Sequence, residues 1–548
     1  MKISLKYIKA GLLVLFLFGC SKDILEENPP NLLSGETLYT NLAGFEAGLN
    51  GLYNLARHGR WQSEKIEYAL NGVDNMTSNY KRSNIYYAWK ATNSPADDDL
   101  LEVFAWYYET INAANTIITR AENKEVDWVG GSGTPEVNKN RVIAEAKAIR
   151  GWAYRGLTYG WGDVPLSLTE YTGSTIRSDW ERAPVADVRK QIISDYKFAQ
   201  QHIPTEGSLP GRITKGAVQT FMAEMYLTLN KPDSALYWAD QVITNPAYKL
   251  VTQRYGVQKS NPLGSPYGDM FKEGNQNRNQ GNTEALWVFQ FNLNSIDEQG
   301  NEMSRAVTGN YNLWVINGKR PLQYTYERGG RGKSYFAVTK WFVDSFEPQD
   351  DRAANYILRK YFILNNAAAN APYAADILPS GYSYGDTLWT NWSKPISATH
   401  NSLPDWPYSR KGEGSDPQNL AADFSWHDLI YLRLADTYLL KAEAQFKMGN
   451  AAAAATTLNI IRQRSKAKPI TGADVTIDFI LDERSRELIT EEDRRYTLLR
   501  TNKWLERTKK YNFFGGEMVA ERDVLFPIPQ DVIDSNLAKK MTQNPGWN

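Results

Sequence analysis

Cysteine is nearly absent from this chain: its 548 residues contain one, Cys20. A single thiol forms no internal disulfide and falls short of the ligand set of a thiolate metal site. Histidine is scarce as well, and His58, His202, His400 and His427 are scattered without zinc-ligand spacing. Net charge is missing too. The 62 basic residues balance 62 acidic ones, so no concentrated basic surface is on offer to nucleic acid. No Walker A or H-E-x-x-H motif occurs. The Asp- and Asn-rich loops leave a structural Ca²⁺ as the one cofactor worth naming, but EF-hand spacing is absent. After residue 19 no apolar run approaches the length needed to span a bilayer.

What is present begins at the N-terminus. Lys2, Lys6 and Lys9, with no acid, precede the apolar run "AGLLVLFLF" at 10–18. A basic start and a short apolar core read as a secretory signal, because the core cannot cross about 30 Å of hydrocarbon. The run ends in Leu17-Phe18-Gly19-Cys20, which resembles a bacterial lipobox. There the thiol takes a diacylglycerol group and the chain is cut before the cysteine, residues 1–19 being lost. Palmitate-like chains anchor through about 0.8 kcal/mol per buried methylene. An ordinary signal peptide with an incidental cysteine is the alternative. The cut removes three lysines and leaves 59 basic against 62 acidic residues, and "SKDILEENPPNLLSG" follows as a polar tether.

Helical periodicity marks both ends of the mature chain. Val142, Ala146, Ile149, Ala153 and Leu157 form one apolar face in a helix predicted to stop at Gly160, Gly162 and Pro165, with 103–122 as its antiparallel partner. Residues 215–243 read as two helices around a turn at Asn230–Asp233, and 434–464 as two around Gly449-Asn450. An offset of 219 sets Ala223-Glu224 on Ala442-Glu443 and Ala235 on Ala454. Small residues at a helix contact, a polar turn and a second amphipathic helix follow the logic of tetratricopeptide-like pairs. From about 250 to 425 the chain is instead rich in Gly, Asn, Pro, Tyr and Trp, and "EALWVFQFNL" (284–293) alternates like a short strand.

These segments together resemble the SusD/RagB family of outer-membrane nutrient-uptake lipoproteins. The residues that carry the resemblance are "AEAKAIRGWAYRGLTYGWGDVPL" (144–166), "GRITKGAVQTFMAEMYL" (211–227), "YLRLADTYLLKAEAQFKMGN" (431–450), "LNIIRQRS" (458–465), "ILDERSRELITEEDRRYTLLRT" (480–501), "LFPIPQDVIDSN" (525–536) and "QNPGW" (543–547). The resemblance implies a mainly α fold, with four tetratricopeptide-like helix pairs as scaffold and an irregular, aromatic-rich loop lobe with minor β. It implies a mature protein over 20–548, divided into an N-terminal region 20–250, a lobe 251–424 and a C-terminal region 425–548. It also implies attachment to the outer membrane through lipid on Cys20, surface exposure, and a TonB-dependent β-barrel transporter as partner. The ligand would be an oligosaccharide, with peptides taken by some relatives, and no catalysis is implied.

Sugar rings pack their C–H faces on flat aromatic rings and need donors and acceptors at the rim. Two stretches offer both. In 71–93, Asp74, Asn75 and Tyr80 supply hydrogen-bonding groups and Tyr86, Tyr87 and Trp89 a stacking surface; in 309–326, Tyr311, Trp314, Tyr324 and Tyr326 stand among Gly and Asn. The alternative for each ring is a place in the core of the lobe. A third cluster, 386–395 with 405–414, suits a ligand lobe, a transporter-facing loop or plain packing. A surface glycoside hydrolase would need two carboxylates about 5–10 Å apart. Of the acidic clusters, Asp97-Asp98-Asp99 reads as helix N-terminal charge and Glu491-Glu492-Asp493 as surface ion pairing on an Arg-rich helix. A pure protein-binding scaffold would not need the aromatic lobe.

Overall fold

The computed structural model describes residues 35–79, 89–90, 93–173, 175–293, 300–364, 377–394 and 403–547. Cys20, Tyr80, Tyr86 and Tyr87 lie outside the described residues. Helices dominate. In chain order the scaffold helices are α1 (Leu42–Arg60), α2 (Asp98–Arg120), α3 (Pro135–Trp161), α4 (Val185–His202), α5 (Lys215–Thr228), α6 (Pro232–Ile243), α7 (Leu434–Lys447), α8 (Ala451–Arg464), α9 (Ile477–Leu488), α10 (Arg494–Arg500) and α11 (Trp504–Tyr511), and shorter helices such as Ser63–Leu70 lie between them.

Local chemistry sets their starts. The side chains of Asn41, Asp97, Thr134, Thr214, Asn450 and Thr476 each accept a hydrogen bond from a first-turn amide, satisfying donors that a helix leaves unpaired. Asp98 and Asp99 occupy the first turn of α2, so the triple aspartate is helix-terminal charge as read. Gly162 ends α3 at φ +71°, a conformation that suits glycine. Val142, Ala146, Ile149, Ala153 and Leu157 are all buried, and so is nearly every other residue from Val142 to Trp161. α3 is a central helix, with little of the amphipathic character its apolar face alone suggests.

Helices pair in sequence, α1 with α2, α3 with α4, α5 with α6 and α7 with α8, and α2 packs on α3, α4 on α5 and α6 on α7. α7 and α8 start 219 residues after α5 and α6 respectively, so the sequence offset is a structural repeat. Ala223, Ala235, Ala239, Leu440 and Ala444 form the buried contact of α5, α6 and α7, while Ala442, Ala454 and Leu458 meet Ile480 of α9. The buried glutamates at equivalent positions each take an arginine, Glu224 from Arg155 at 2.8 Å and Glu443 from Arg500.

Short antiparallel strand pairs build the lobe and join it to its flanking regions: β1 (Met76–Ser78) with β3 (Phe336–Val338), β2 (Ala285–Phe289) with β8 (Leu429–Arg433), β4 (Leu358–Arg359) with β7 (Tyr408–Ser409), and β5 (Tyr361–Ile363) with β6 (Thr387–Trp389). β2 and β8 are buried on both faces. An ionic cluster seats the lobe on the C-terminal helices. Arg352 pairs with Asp350, Glu483 and Glu487, Arg433 with Glu284, Glu487 and Glu491, and Lys411 with Glu491. Glu491 and Asp493 are therefore buried, which corrects the expectation of a surface network. The ion pairing is there, but it links different segments of the chain inside the protein.

Candidate functional site

A cavity of about 850 Å³ opens in the lobe. Its walls come from the turn Gly256–Gln258, from Phe271–Glu273 and Tyr326–Arg328, from β4 and β5, and from Arg410–Ser415. Strand register explains its outer face. Phe362 and Leu388 are buried with Tyr311, Leu322 and Tyr408, so period-two alternation turns Tyr361 and Trp389 outward. The two are directly opposite in the β5–β6 pair, with ring centroids 4.9 Å apart and planes at 54°. Trp389 is 59% exposed and Tyr326, on the cavity wall, 57%. Val257, Leu263 and Ile363 add exposed apolar surface to the same walls.

The floor is ionic. Pairing of β4 with β7 brings Arg359 to the chain segment that carries Arg410 and Glu413. Glu413 accepts from Arg359 at 2.9 Å and from Arg410 at 2.5 Å, and Glu327 accepts from Arg359 at 3.1 Å. Burial would raise the Glu413 carboxyl, but Arg359, Arg410 and Lys272 outweigh it and hold the group down to about 2. Lys272 Nζ donates to the Tyr356 carbonyl at 3.2 Å and lies 4.1 Å from the centre of its ring. Desolvation lowers this ammonium to about 7, helped by Arg410 and Arg359 against Glu413 and Glu327. Tyr326 donates its hydroxyl to Glu273. A glycosidase acid needs a raised carboxyl pKa, and Glu413 is shifted the opposite way. Flat exposed rings beside fixed donors and acceptors suit sugar binding. Among the described residues no group of three His, Cys, Asp or Glu side chains could hold a metal ion, and no described helix is long and apolar enough to cross a membrane.

In the first sequence-predicted stretch, the described residues Asp74, Asn75 and Trp89 do not line the cavity. Asp74 is fully buried and pairs with Arg494 and Arg507, each at 2.7 Å. Those arginines overcome the effect of burial and hold its carboxyl below the usual range. Asn75 is buried and donates to Ser485 at 2.9 Å. Trp89 is 2% exposed, edge-on to Trp504 at 5.0 Å and stacked near Phe526, with the Arg495 guanidinium over its ring. These three are corrections: they join the N-terminal region to the C-terminal helices, and a ligand has no access to them in this state.

The second stretch is divided. Tyr311 is buried, its hydroxyl bonded to the Gly330 carbonyl, so it too is core and not platform. Half-buried Trp314 meets Phe362 edge-on at 6.4 Å, and Tyr324 meets Tyr311 at 6.2 Å. Both back the cavity wall. Of the described rings in the two sequence-predicted stretches, Tyr326 is the one that lines the cavity. The third cluster supplies Trp389 beside it and Arg410 and Glu413 within it. Trp406 is instead core, and Trp392 donates to Asp344 at 2.9 Å. Tyr356, Tyr361, Arg359 and Lys272 escaped sequence reasoning. The alternation in "LRKYFIL" (358–364) was the one local sign of them.

Comparison with known proteins adds the following. The model of the SusD family matches residues 283–547, and a second, described as starch-binding associating with outer membrane, matches 23–227. A SusD-like protein of Bacteroides ovatus is 25% identical over 543 residues, covering 93% of this chain and 86% of that one. The starch-binding protein SusD of Bacteroides thetaiotaomicron is 32% identical over 124 residues, 22% of each chain. Among solved structures, a SusD superfamily protein of Parabacteroides distasonis superposes with a TM-score of 0.68 at 19% identity, covering 94% of this chain and all of that one. A laminarin-binding SusD-like protein gives 0.65 at 20% identity, covering 93% and 100%.

Proposed function

The chain belongs to the SusD family, and from that premise we propose that it captures a glycan in the cavity of its lobe and delivers it to a TonB-dependent outer-membrane transporter. The observation that carries the reading is exposed Trp389, paired with half-buried Tyr361, beside a cavity of about 850 Å³ whose wall also carries exposed Tyr326. Rings held by a strand pair lose little entropy on binding and present flat faces to pyranose C–H bonds. Names among the relatives, one starch-binding and one laminarin-binding, support a carbohydrate ligand. Open sites of this kind give roughly micromolar to millimolar affinity, about −8 to −4 kcal/mol. The ion-paired state of Glu413 favours binding over hydrolysis.

The rest of the proposal follows from the family. Residues 1–19 are a leader, Cys20 carries the lipid, and the mature protein sits at the outer-membrane surface with regions 20–250, 251–424 and 425–548. The helix pairs face the transporter. Glycan-array binding by the full chain in detergent micelles, followed by calorimetry on each hit, tests capture. The expected result is saturable binding to one polysaccharide class, lost in Trp389→Ala and Tyr326→Ala with the melting temperature retained. Binding unaffected by both variants would move the site elsewhere, and turnover of the hit would replace capture with hydrolysis. Co-purification of a β-barrel transporter with the membrane-anchored chain tests delivery.

A further inference from the structure

The charged side chains around the cavity do not balance. Four cations line it, Lys272, Arg328, Arg359 and Arg410, against three carboxylates, Glu273, Glu327 and Glu413. The carboxylates are engaged already. Glu413 is taken by Arg359 and Arg410, Glu327 lies 3.1 Å from Arg359 and 3.6 Å from Arg410, and Glu273 holds the Tyr326 hydroxyl. Arg328 donates to the Gln323 and Ile363 carbonyls. Lys272 stands apart, because among the described residues no carboxylate lies within ion-pairing distance of its Nζ. An ammonium has three donor hydrogens, and the Tyr356 carbonyl accounts for one. A partly desolvated cation without a counter-charge is costly, and an anion supplied by the ligand would relieve that cost.

We propose that the cavity takes an acidic glycan, in which the carboxylate or sulfate of one sugar accepts from Lys272 while Tyr326, Tyr361 and Trp389 carry the C–H faces of its neighbours. The inference rests on the glycan-capture reading and narrows it. A protonation change accompanies it. Desolvation is the main cause that lowers the Lys272 pKa to about 7; Arg410 and Arg359 lower it further, and Glu413 and Glu327 raise it. Glu273 is its neighbour in sequence and Tyr356 lies beneath it. An arriving anion raises that pKa, so above neutrality binding draws a proton from solution onto Nζ.

Calorimetry on the full chain in detergent micelles tests this with four probes: oligogalacturonate, a sulfated galactan oligosaccharide, a neutral galactan oligosaccharide of the same length, and an oligoglutamate peptide. Binding of at least one acidic sugar about tenfold tighter than the neutral one is expected, in line with a hydrogen bond to a charged group. Whichever acid binds names the anion. At pH 7.5–8 the heat should vary with buffer ionisation enthalpy, reporting proton uptake of up to one per ligand. Lys272→Met should weaken acidic binding by about tenfold or more and abolish the uptake. Lys272→Arg should keep the binding and lose the uptake, separating charge from packing. Neutral binding as tight as acidic, or acidic binding unchanged in Lys272→Met, overturns the acidic-ligand inference and leaves glycan capture standing. Binding of no sugar at all, or preference for an acidic peptide over every sugar, overturns both.

Discussion

Two clusters of arginine, glutamate and aromatic rings share the ring of Phe271, which lines the cavity and lies near Lys411 and Arg433. In the inner cluster every cation meets buried carboxylates: Arg352 and Arg433 have three acidic partners each, and Arg464 reaches Glu284 and Glu487. In the outer cluster Lys272 has no carboxylate within ion-pairing distance among the described residues, and aromatic surface stays exposed. The residue types are alike. What differs is ion pairing: each cation of the inner set has a carboxylate partner and the set fixes the lobe on the helices, whereas the outer set leaves one ammonium and exposed rings for something else. Arginine and glutamate density therefore does not mark a site; unspent bonding capacity does.

The comparison breaks most readily at Glu487, which accepts from Arg352, Arg433 and Arg464. Glu487→Gln strands buried cations and should cost about 3–5 kcal/mol, read as a shift of the denaturant midpoint. Nearly as large, Trp89→Ala should cost about 3–5 kcal/mol by emptying a core site. Trp389→Ala should stay within about 0.5 kcal/mol of the parent yet weaken glycan binding about tenfold. Equal stability losses in the two variants would end the distinction between core and platform. Acid should act more gradually. Glu483 and Glu413 are each held down to about 2 in the fold, where burial is outweighed by Arg352, Arg486 and Arg462 for the first and by Arg359, Arg410 and Lys272 for the second. A carboxylate lowered on folding stabilises fully above its unfolded value, near 4.5. The contribution fades as pH falls from about 4.5 toward 2. Denaturation curves across that window should show the loss, and Glu413→Gln should flatten part of it while weakening the fold at neutral pH.

The helices were legible because their signals are local. An Asn, Asp or Thr cap, an apolar stripe and a closing Gly act within a few residues, so 215–243 and 434–464 could be divided into helices and their repeat aligned. Aromatic rings carry no such signal. Trp89 and Trp389 stand in similarly polar, Tyr- and Asn-rich surroundings, but one is sealed by Trp504 and Phe526, over 400 residues away, and the other is turned outward by a three-residue strand. Asp74 looked like a ligand contact for the same reason, its partners Arg494 and Arg507 being distant in sequence.

The sequence by itself determined the family, the helical scaffold, the apolar run at 10–18 with the single cysteine just after it, and the scarcity of metal-binding motifs. Each depends on residue type and short-range spacing. Only the tertiary structure decided which rings face solvent, which carboxylates are neutralised and that Lys272 is left over. Those properties depend on what lies across a cavity or beneath a strand, and burial and electrostatics act through space without regard to chain order.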